Sequence, residues 1–175
     1  MSVFKYLFIV IVPLEHYKIP CNTWEQYSGN WKVYYLRNKL DICVEKNCLI
    51  TDSYDSDLIG KQLYGMKMLH NKSKWIIKVD YDTFIHIPTI ENILKKNVDW
   101  EVSGLLMKNV TIKRGKYFNG KERRLNTYMD GGIGYIIKSD IIPCVIEMSN
   151  TKKRFFNYED VTFSNWSSYC THNIK

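Results

Sequence analysis

The chain has 175 residues, of which 45% are hydrophobic and 14% aromatic, enough to form a buried core and to exclude a disordered polymer. Its formal net charge of +7 favours anionic partners, or simply keeps the surface soluble. Because the basic residues are diffuse and no nucleic-acid-binding module is present, we expect no nucleic-acid partner. The length suits a single domain over residues 1–175.

The order of apolar and polar residues predicts strands that alternate with helices. This alternation indicates an α/β fold, with helices flanking a central, mostly parallel mixed sheet. Strands are predicted at residues 5–12, 31–36, 48–51, 75–79, 101–107 and 135–137, with 110–118 extending a hairpin. Helices are predicted at residues 22–30, 56–70, 88–96, 139–148 and from 159 onward.

Polar residues before three of these helices are candidate caps, because their side-chain oxygens can accept hydrogen bonds from the first backbone N–H groups. The candidates are Asn22 or Thr23 for the first helix, Asp52, Ser53 or Asp55 for the second, and Ser139 for the fourth.

The apolar run at residues 7–12 is too short to span a bilayer, and no small-residue cleavage site follows it. We interpret it as a buried first strand and predict no transmembrane segment. Three glycosylation sequons occur at Asn71, Asn109 and Asn165. In an Asn-rich chain such sequons arise by chance, so they do not establish secretion.

The five cysteines are odd in number and lack the spacing of a zinc site. We expect mostly reduced structural thiols in a cytosol-like compartment. A disulfide between Cys43 and Cys48 stays open. The predicted location is therefore cytoplasmic, with a secretory-pathway lumen as the alternative.

Asp80, Tyr81 and Asp82 close the buried strand at 75–79. Two carboxylates separated by one residue, where a strand becomes a loop, can share a hard cation such as Mn²⁺ or Mg²⁺. Such a cation can bridge diphosphate oxygens and neutralise charge on a leaving diphosphate. The alternative is a pair of ordinary turn aspartates.

A glycine-rich segment, Gly131–Gly134, interrupts the pattern before the strand at 135–137. Glycine permits positive φ and close backbone approach to a sugar or phosphate. The spacing matches neither a dinucleotide-binding fingerprint nor a P-loop. The alternative is a tight turn.

Glu159 and Asp160 stand where the last helix is predicted to begin. Acidic residues are common in a first helical turn, where they interact favourably with the helix dipole. From spacing alone, this ordinary explanation is the preferred one.

The segment at residues 75–85 resembles the metal-binding segment of the β-1,3-galactosyltransferase family, which includes Fringe and the core-1 galactosyltransferases. Four more segments resemble family motifs in the same order. Residues 21–24 resemble R-x-T-W, 52–61 resemble D-x-Y-x-x-L-x-x-K, 128–135 resemble Y-x-x-G-G-x-G-Y/F, and 158–161 contain the late E-D-V. Each motif is weak alone, but five in order over nearly the whole chain are specific.

This resemblance implies a GT-A fold, a UDP-sugar donor, Mn²⁺ and inversion at the anomeric carbon. By position, Asp82 would be the direct metal ligand and Asp80 would face the nucleotide. Asp160 would be the general base that takes the proton of the acceptor hydroxyl, with Glu159 beside it. The remaining residues implied at the donor site are Tyr81, Asp52, Lys61, Gly131, Gly132 and Gly134.

The sequence thus predicts an inverting, metal-dependent enzyme that moves a hexose from a UDP-sugar to a glycan or glycoprotein hydroxyl, through a β-1,3 linkage. Two departures weaken the match, since Tyr81 replaces a middle acid and the arginine expected in the first motif is missing. The missing arginines and the short length of the chain motivate an alternative, a non-catalytic nucleotide-sugar or glycan-binding module of the same fold. The Lys-, Asn- and Ile-rich composition suggests an AT-rich genome, such as that of a large DNA virus. The oligomeric state stays open.

Overall fold

The computed structural model describes residues 4–11, 18–29, 31–43, 47–53, 57–112, 123–152 and 159–171. Its strands are β1 (Phe4–Ile11), β2 (Lys32–Arg37), β3 (Cys48–Ile50), β4 (Ser73–Asp80), β5 (Val102–Gly104), β6 (Leu106–Ile112), β7 (Arg123–Met129) and β8 (Tyr135–Lys138). The α-helices are α1 (Lys18–Asn22), α2 (Leu58–Leu69), α3 (Ile87–Lys96), α4 (Ile142–Thr151) and α5 (Glu159–Ser167).

Six strands form one sheet in the order β3-β2-β1-β4-β8-β5. The first four strands are mutually parallel, whereas β8 runs antiparallel to both β4 and β5. Strands β6 and β7 pair separately as an antiparallel ribbon. The predicted α/β fold with a mixed, mostly parallel sheet is therefore confirmed.

Strand β4 lies inside the sheet, between β1 and β8. Its residues from Trp75 to Val79 are all buried, as expected for a sheet covered on both faces, whose strands are apolar throughout. Lys78 is the charged residue in this otherwise apolar run, and it is buried like its neighbours. The strand ends at Asp80.

Two apolar clusters cover the two faces of the sheet. One contains residues of α2, α4 and α5, including Met66, Val145 and Phe163, packed near Ile76 and Ile137. The other joins residues of α3 to three buried tryptophans and to side chains of β2 and β4, namely Trp24, Trp31, Val33, Tyr35, Trp75, Ile77, Val79, Ile85, Ile87 and Leu94. Successive β4 side chains point to opposite faces, so Lys78 lies on the α5 side and Val79 on the α3 side.

The prediction of a first helix at residues 22–30 is wrong. Helix α1 ends at Asn22 and a short 3₁₀ turn follows at Glu25–Tyr27, so neither predicted cap begins a helix. Gly29 has a φ of 59°, which also excludes a right-handed helix at the end of the predicted range.

The predicted caps of two later helices also differ from the structure. Asp57 caps α2, accepting from Gly60 N–H, in place of Asp52 or Ser53; Asp55 lies outside the described residues. Ser139 begins a 3₁₀ turn that precedes α4 instead of capping that helix.

The expectation of mostly reduced cysteines is wrong. Cys43 and Cys48 form a disulfide, which is the pairing that the sequence left open. Cys144 and Cys170 form a second disulfide, with Cα atoms 5.8 Å apart across a sequence separation of 26 residues. Packing of α4 against α5 brings this second pair together, so spacing in the sequence could not reveal it. Cys21 remains a thiol.

The apolar segment near the N-terminus forms β1, as predicted, with β2 on one side and β4 on the other. Within the part of the chain that the structure describes, every helix is too short or too polar for a bilayer crossing.

Candidate active site

Three segments meet at the edge of the main sheet where its parallel strands have their carboxyl ends. They are the end of β4, the glycine segment Gly131–Gly134 and the first turn of α5. Parallel strands place their carboxyl ends at a common edge, which is where ligands bind in open α/β sheets. Because β8 is antiparallel to β4, with Tyr135 opposite Lys78, the loop that precedes β8 lies at this same edge.

The ammonium group of Lys78 joins the three segments. Its Nζ donates to Asp80 Oδ1 at 2.8 Å, to the Gly131 carbonyl at 2.9 Å and to Glu159 Oε2 at 3.2 Å. Lys78 is only 1% exposed. A buried charge is tolerable when it is paired and hydrogen-bonded, and here all three donors of the ammonium are used.

The surroundings of Lys78 favour its charged form. Burial lowers the pKa of Lys78, but the carboxylates of Glu159 and Asp80 outweigh burial and raise the pKa above its usual value. Burial also raises the pKa of Glu159, while Lys78 and the Tyr135 hydroxyl oppose that rise. Tyr135 donates to Glu159 Oε1 at 2.5 Å. Donors on both oxygens favour the ionised form of Glu159, but burial has the larger effect and the pKa of Glu159 is raised overall.

Glycine is required where the loop passes the start of α5. A Cβ on Gly131 would lie 2.8 Å from Glu159 Oε2, closer than real Cβ atoms approach other atoms, and 3.0 Å from Asp160 Cβ, which is a tight contact. Gly134 has a φ of 97°, and a Cβ there would lie 2.5 Å from the Lys78 carbonyl oxygen. The glycines therefore allow the loop to contact both β4 and α5.

Asp160 is the next residue after Glu159 and is partly buried. Its Oδ1 accepts from Val161 N–H at 2.7 Å, and the Gly131 backbone also donates to the carboxylate. Burial is the main cause that raises the pKa of Asp160, and these backbone donors oppose it. The nearby carboxylate of Asp130 adds to the rise. A carboxylate with a raised pKa at a sheet edge suits proton transfer.

The side chains of Asp80, Tyr81 and Asp82 have different surroundings at the end of β4. Asp80 is about one-third exposed and has one oxygen bonded to Lys78, while Asp82 is exposed. Tyr81 packs against the apolar cluster on the α3 side. The tyrosine that replaces the middle acid therefore contributes to packing on the α3 side.

The carboxylates of Asp80 and Asp82 fit a hard divalent cation, since oxygen ligands are what Mg²⁺ and Mn²⁺ prefer. No three His, Cys, Asp or Glu side chains in the described ranges are grouped to hold a metal by themselves. Mg²⁺ is commonly held by one or two carboxylates together with substrate phosphates. The two aspartates suit that mode, in which a diphosphate completes the ligand set.

Asp52 and Lys61 lie further along the same edge. Asp52 is exposed and follows the end of β3, whereas Lys61 is buried in the first turns of α2. Strands β2 and β1 separate β3 from β4, which is about 14 Å at the usual strand spacing. The strand order thus places Asp52 apart from the Lys78 cluster. Residues 54–56 and Tyr158 of the quoted motifs lie outside the described residues.

Four residues that form hydrogen bonds within the candidate active site were given no role from the sequence. Lys78 and Tyr135 bind Glu159, Thr83 donates to the Gly132 carbonyl at 2.8 Å, and Asp130 accepts from Gly132 N–H at 2.9 Å. A lysine within an otherwise apolar strand was a signal for Lys78. Nothing in the sequence indicated that Tyr135 would lie over α5, because its partner is 24 residues away.

An apolar pocket of about 340 Å³ opens on the α3 side of the sheet, behind the glycine segment. Its lining includes Ile77, Ile93, Trp100, Ile133 and Ile136, with Asn97 and Ser103 among its polar residues. Among the described residues, those that line this pocket include no charged side chain. A lining of this kind does not suit a diphosphate.

This sheet, with carboxylates and a glycine turn at its carboxyl edge, defines an α/β fold of the type that binds nucleotides. The galactosyltransferase family model matches residues 41–171, well over half of the chain. The chain therefore belongs to the galactosyltransferase family and is a glycosyltransferase. Among curated protein sequences, no match was found.

Solved structures with a similar fold include 2-C-methyl-D-erythritol 4-phosphate cytidylyltransferases. The enzyme from Francisella tularensis is 10% identical, with a TM-score of 0.53, over 97% of this chain and 89% of that one. The enzyme from Thermus thermophilus is 8% identical, with a TM-score of 0.56, over 99% and 87%. The 4-diphosphocytidyl-2C-methyl-D-erythritol synthase of Anaerococcus prevotii is 9% identical, with a TM-score of 0.60, over 98% and 87%. At these identities the likeness shows the fold alone.

Proposed function

We propose that this glycosyltransferase is inverting and metal-dependent. It moves a hexose (galactose, N-acetylglucosamine or glucose) from a UDP-sugar to a hydroxyl of a glycan or glycoprotein, through a β-1,3 linkage. The observation that carries the proposal is the meeting of Asp160 with the end of β4 at the glycine segment. A carboxylate with a raised pKa and a pair of metal-compatible carboxylates stand at one sheet edge.

In this mechanism Asp160 accepts the proton of the acceptor hydroxyl. The acceptor oxygen forms a bond to the anomeric carbon as the bond from that carbon to the diphosphate oxygen breaks, and UDP leaves with the electron pair. A bound divalent cation, held by Asp82 and Asp80, would neutralise the charge of the diphosphate. A base opposite the leaving group is what inversion requires, and such proton transfer contributes about 10²–10⁴-fold in rate.

A screen of UDP-sugars with Mn²⁺, reading UDP release with and without candidate glycan acceptors, tests this proposal. We expect release to depend on one donor and to be lost on chelation. Binding of UDP and Mn²⁺ should also raise the melting temperature by mass action. UDP binding without turnover on a broad acceptor panel would favour the non-catalytic alternative. Absence of any shift or turnover would contradict both.

We further propose that the protein works in an oxidising compartment, such as a secretory-pathway lumen, in place of the cytoplasm that the sequence suggested. Two disulfides support this location, because they persist in oxidising compartments and are rare in the cytosol. Rapid alkylation of cells followed by mass spectrometry gives the test. Four alkylated cysteines in addition to Cys21 would contradict the proposal.

A further inference from the structure

We propose that Lys78 is a positioning residue that holds the metal-side carboxylate and the helix carrying the base in one fixed arrangement. This role rests on the proposed function, since it concerns the same site. It adds a residue that acts through others and does not itself contact the substrate.

The contacts of Lys78 span three separate elements. Its ammonium binds Asp80 at the end of its own strand, the Gly131 carbonyl in the loop, and Glu159 in the first turn of α5, all within 3.2 Å. The structure thus uses one compact charge to fix the separation between β4, the loop and α5.

Stability alone is a weak reason to keep such a charge. Burying a lysine and a glutamate carries a large desolvation cost, and apolar replacements of buried ion pairs are often as stable or more so. Both Lys78 and Glu159 are at least nine-tenths buried. Retaining this pair at the sheet edge is therefore better explained by the geometry that it imposes.

Two consequences follow for the site. Asp80 has one oxygen bonded to Lys78, which orients the carboxylate so that its other oxygen can face the nucleotide or the cation. Glu159 is held on its other side by Tyr135, whose ring stacks on Phe163 of α5 with centroids 4.7 Å apart. Because Asp160 directly follows Glu159, fixing Glu159 also fixes the position of the base.

Removal of Lys78 should lower the catalytic rate more than it weakens binding of the donor. Supporting residues around a metal site typically contribute about 10–100-fold, and a displacement of about 1 Å can cost about 10²-fold in rate. Asp80 is partly exposed, so water can solvate its carboxylate when Lys78 is absent. We therefore expect kcat to fall while KM for the donor changes by less than about threefold.

The test uses the double variant Lys78→Met/Glu159→Gln. It removes both buried charges, so neither is left alone, and the new amide still accepts from Tyr135. We expect a melting temperature near that of the wild type with kcat lowered about 10- to 100-fold. Glu159→Gln alone keeps an acceptor for Lys78 and should lower kcat by less than about tenfold.

Lys138→Met/Asp140→Asn is the matched control. Lys138 Nζ and Asp140 Oδ2 form an ion pair at 3.2 Å in the neighbouring strand and turn, away from the loop, and its removal should leave kcat unchanged. Lys78→Arg is a second variant in case the double variant does not fold. Arginine keeps the charge but cannot place one compact ammonium among three acceptors, so we expect a folded protein with reduced kcat.

Wild-type kcat in a folded Lys78→Arg or double variant would overturn the positioning role and leave the proposed function intact. A full loss already in Glu159→Gln would overturn it too, by assigning the effect to Glu159 alone. An increase confined to KM would instead make Lys78 a donor-binding residue. If the wild-type chain shows no turnover with any UDP-sugar, the proposed function and this role fail together.

Discussion

At the scale of single residues, Asp160 combines burial, two backbone donors and the nearby charge of Asp130. Burial has the largest effect on the pKa of Asp160 and raises it, as does Asp130, whereas the backbone donors lower it. Asp160 follows a glutamate that is bound to Lys78 and Tyr135. The neighbouring acids Glu159 and Asp160 thus differ in their hydrogen-bond partners, since side chains bind Glu159 and backbone N–H groups bind Asp160.

The variant Asp160→Asn tests the base directly. Asparagine has nearly the same shape and can still accept from the Val161 backbone, so we expect a folded protein that binds UDP with Mn²⁺. Without a proton acceptor, kcat should fall about 10²–10⁴-fold. Initial rates of UDP release measure this, with Asp140→Asn, an exposed acid in another turn, as the control. Full activity of Asp160→Asn would refute the assigned base.

The pH dependence of activity follows from the raised pKa of Asp160. The base must be ionised, so kcat/KM should decline as pH falls through this pKa, at a higher pH than for an ordinary aspartate near about 3.9. The contribution of Asp160 to the free energy of unfolding depends on pH in the opposite direction. A carboxyl with a raised folded-state pKa stabilises below its unfolded pKa and loses that contribution as pH rises through the folded one.

A pH profile of kcat/KM, with the melting temperature followed over the same range, gives the measurement. An acidic limb that persists unchanged in Asp160→Asn would show that another group controls it.

At the scale of elements, the loop Gly131–Gly134 determines whether β4 and α5 can meet. It contacts the strand at the Lys78 carbonyl and the helix at Glu159. A further hydrogen bond from Thr83 to Gly132 ties it to the segment after Asp82. The loop is therefore the connection between the candidate metal side and the candidate base.

Gly134→Ala should be strongly destabilising. Its φ of 97° is unfavourable for alanine, and a Cβ would lie 2.5 Å from backbone oxygen. Gly29→Ala is the matched control, since Gly29 has a φ of 59° but no atom within 4 Å of an added Cβ. We expect about 1–2 kcal/mol for Gly29→Ala and a larger loss for Gly134→Ala. Urea unfolding measures both, and equal losses would contradict the close contact.

At the scale of the whole molecule, the two disulfides constrain very different lengths of chain. Cys43 and Cys48 are 5 residues apart, whereas Cys144 and Cys170 are 26 residues apart. The longer link joins α4 to the end of α5, the helix whose first turn carries Glu159 and Asp160. It thus stabilises the arrangement of the layer that supports the site.

Replacing Cys144 and Cys170 by serine should cost more stability than replacing Cys43 and Cys48. Loop-closure entropy gives about 3.5 kcal/mol for the 26-residue separation and about 2 kcal/mol for the 5-residue separation. Denaturant unfolding of the two double variants under identical conditions provides the comparison. The order of the two losses is the prediction, and the reverse order would contradict it.

Much of the architecture was predictable from the sequence because its signals are local. Continuous apolar runs predicted β4 and β8, and proline in the first turn predicted α3, since burial and backbone geometry act over a few residues. The errors lie where local signals are weak, as at residues 22–30, where α1 ends at Asn22 and only a short 3₁₀ turn follows.

The sequence by itself determined the alternating strands and helices, the acids at the end of β4, the glycines at Gly131–Gly134 and the acidic start of α5. Only the tertiary structure decided how these parts meet. It placed Lys78 between Asp80 and Glu159, bonded Tyr135 to Glu159, and paired Cys144 with Cys170. The physical reason is that a contact between residues 24 to 81 positions apart depends on sheet order and helix packing, which no local pattern encodes.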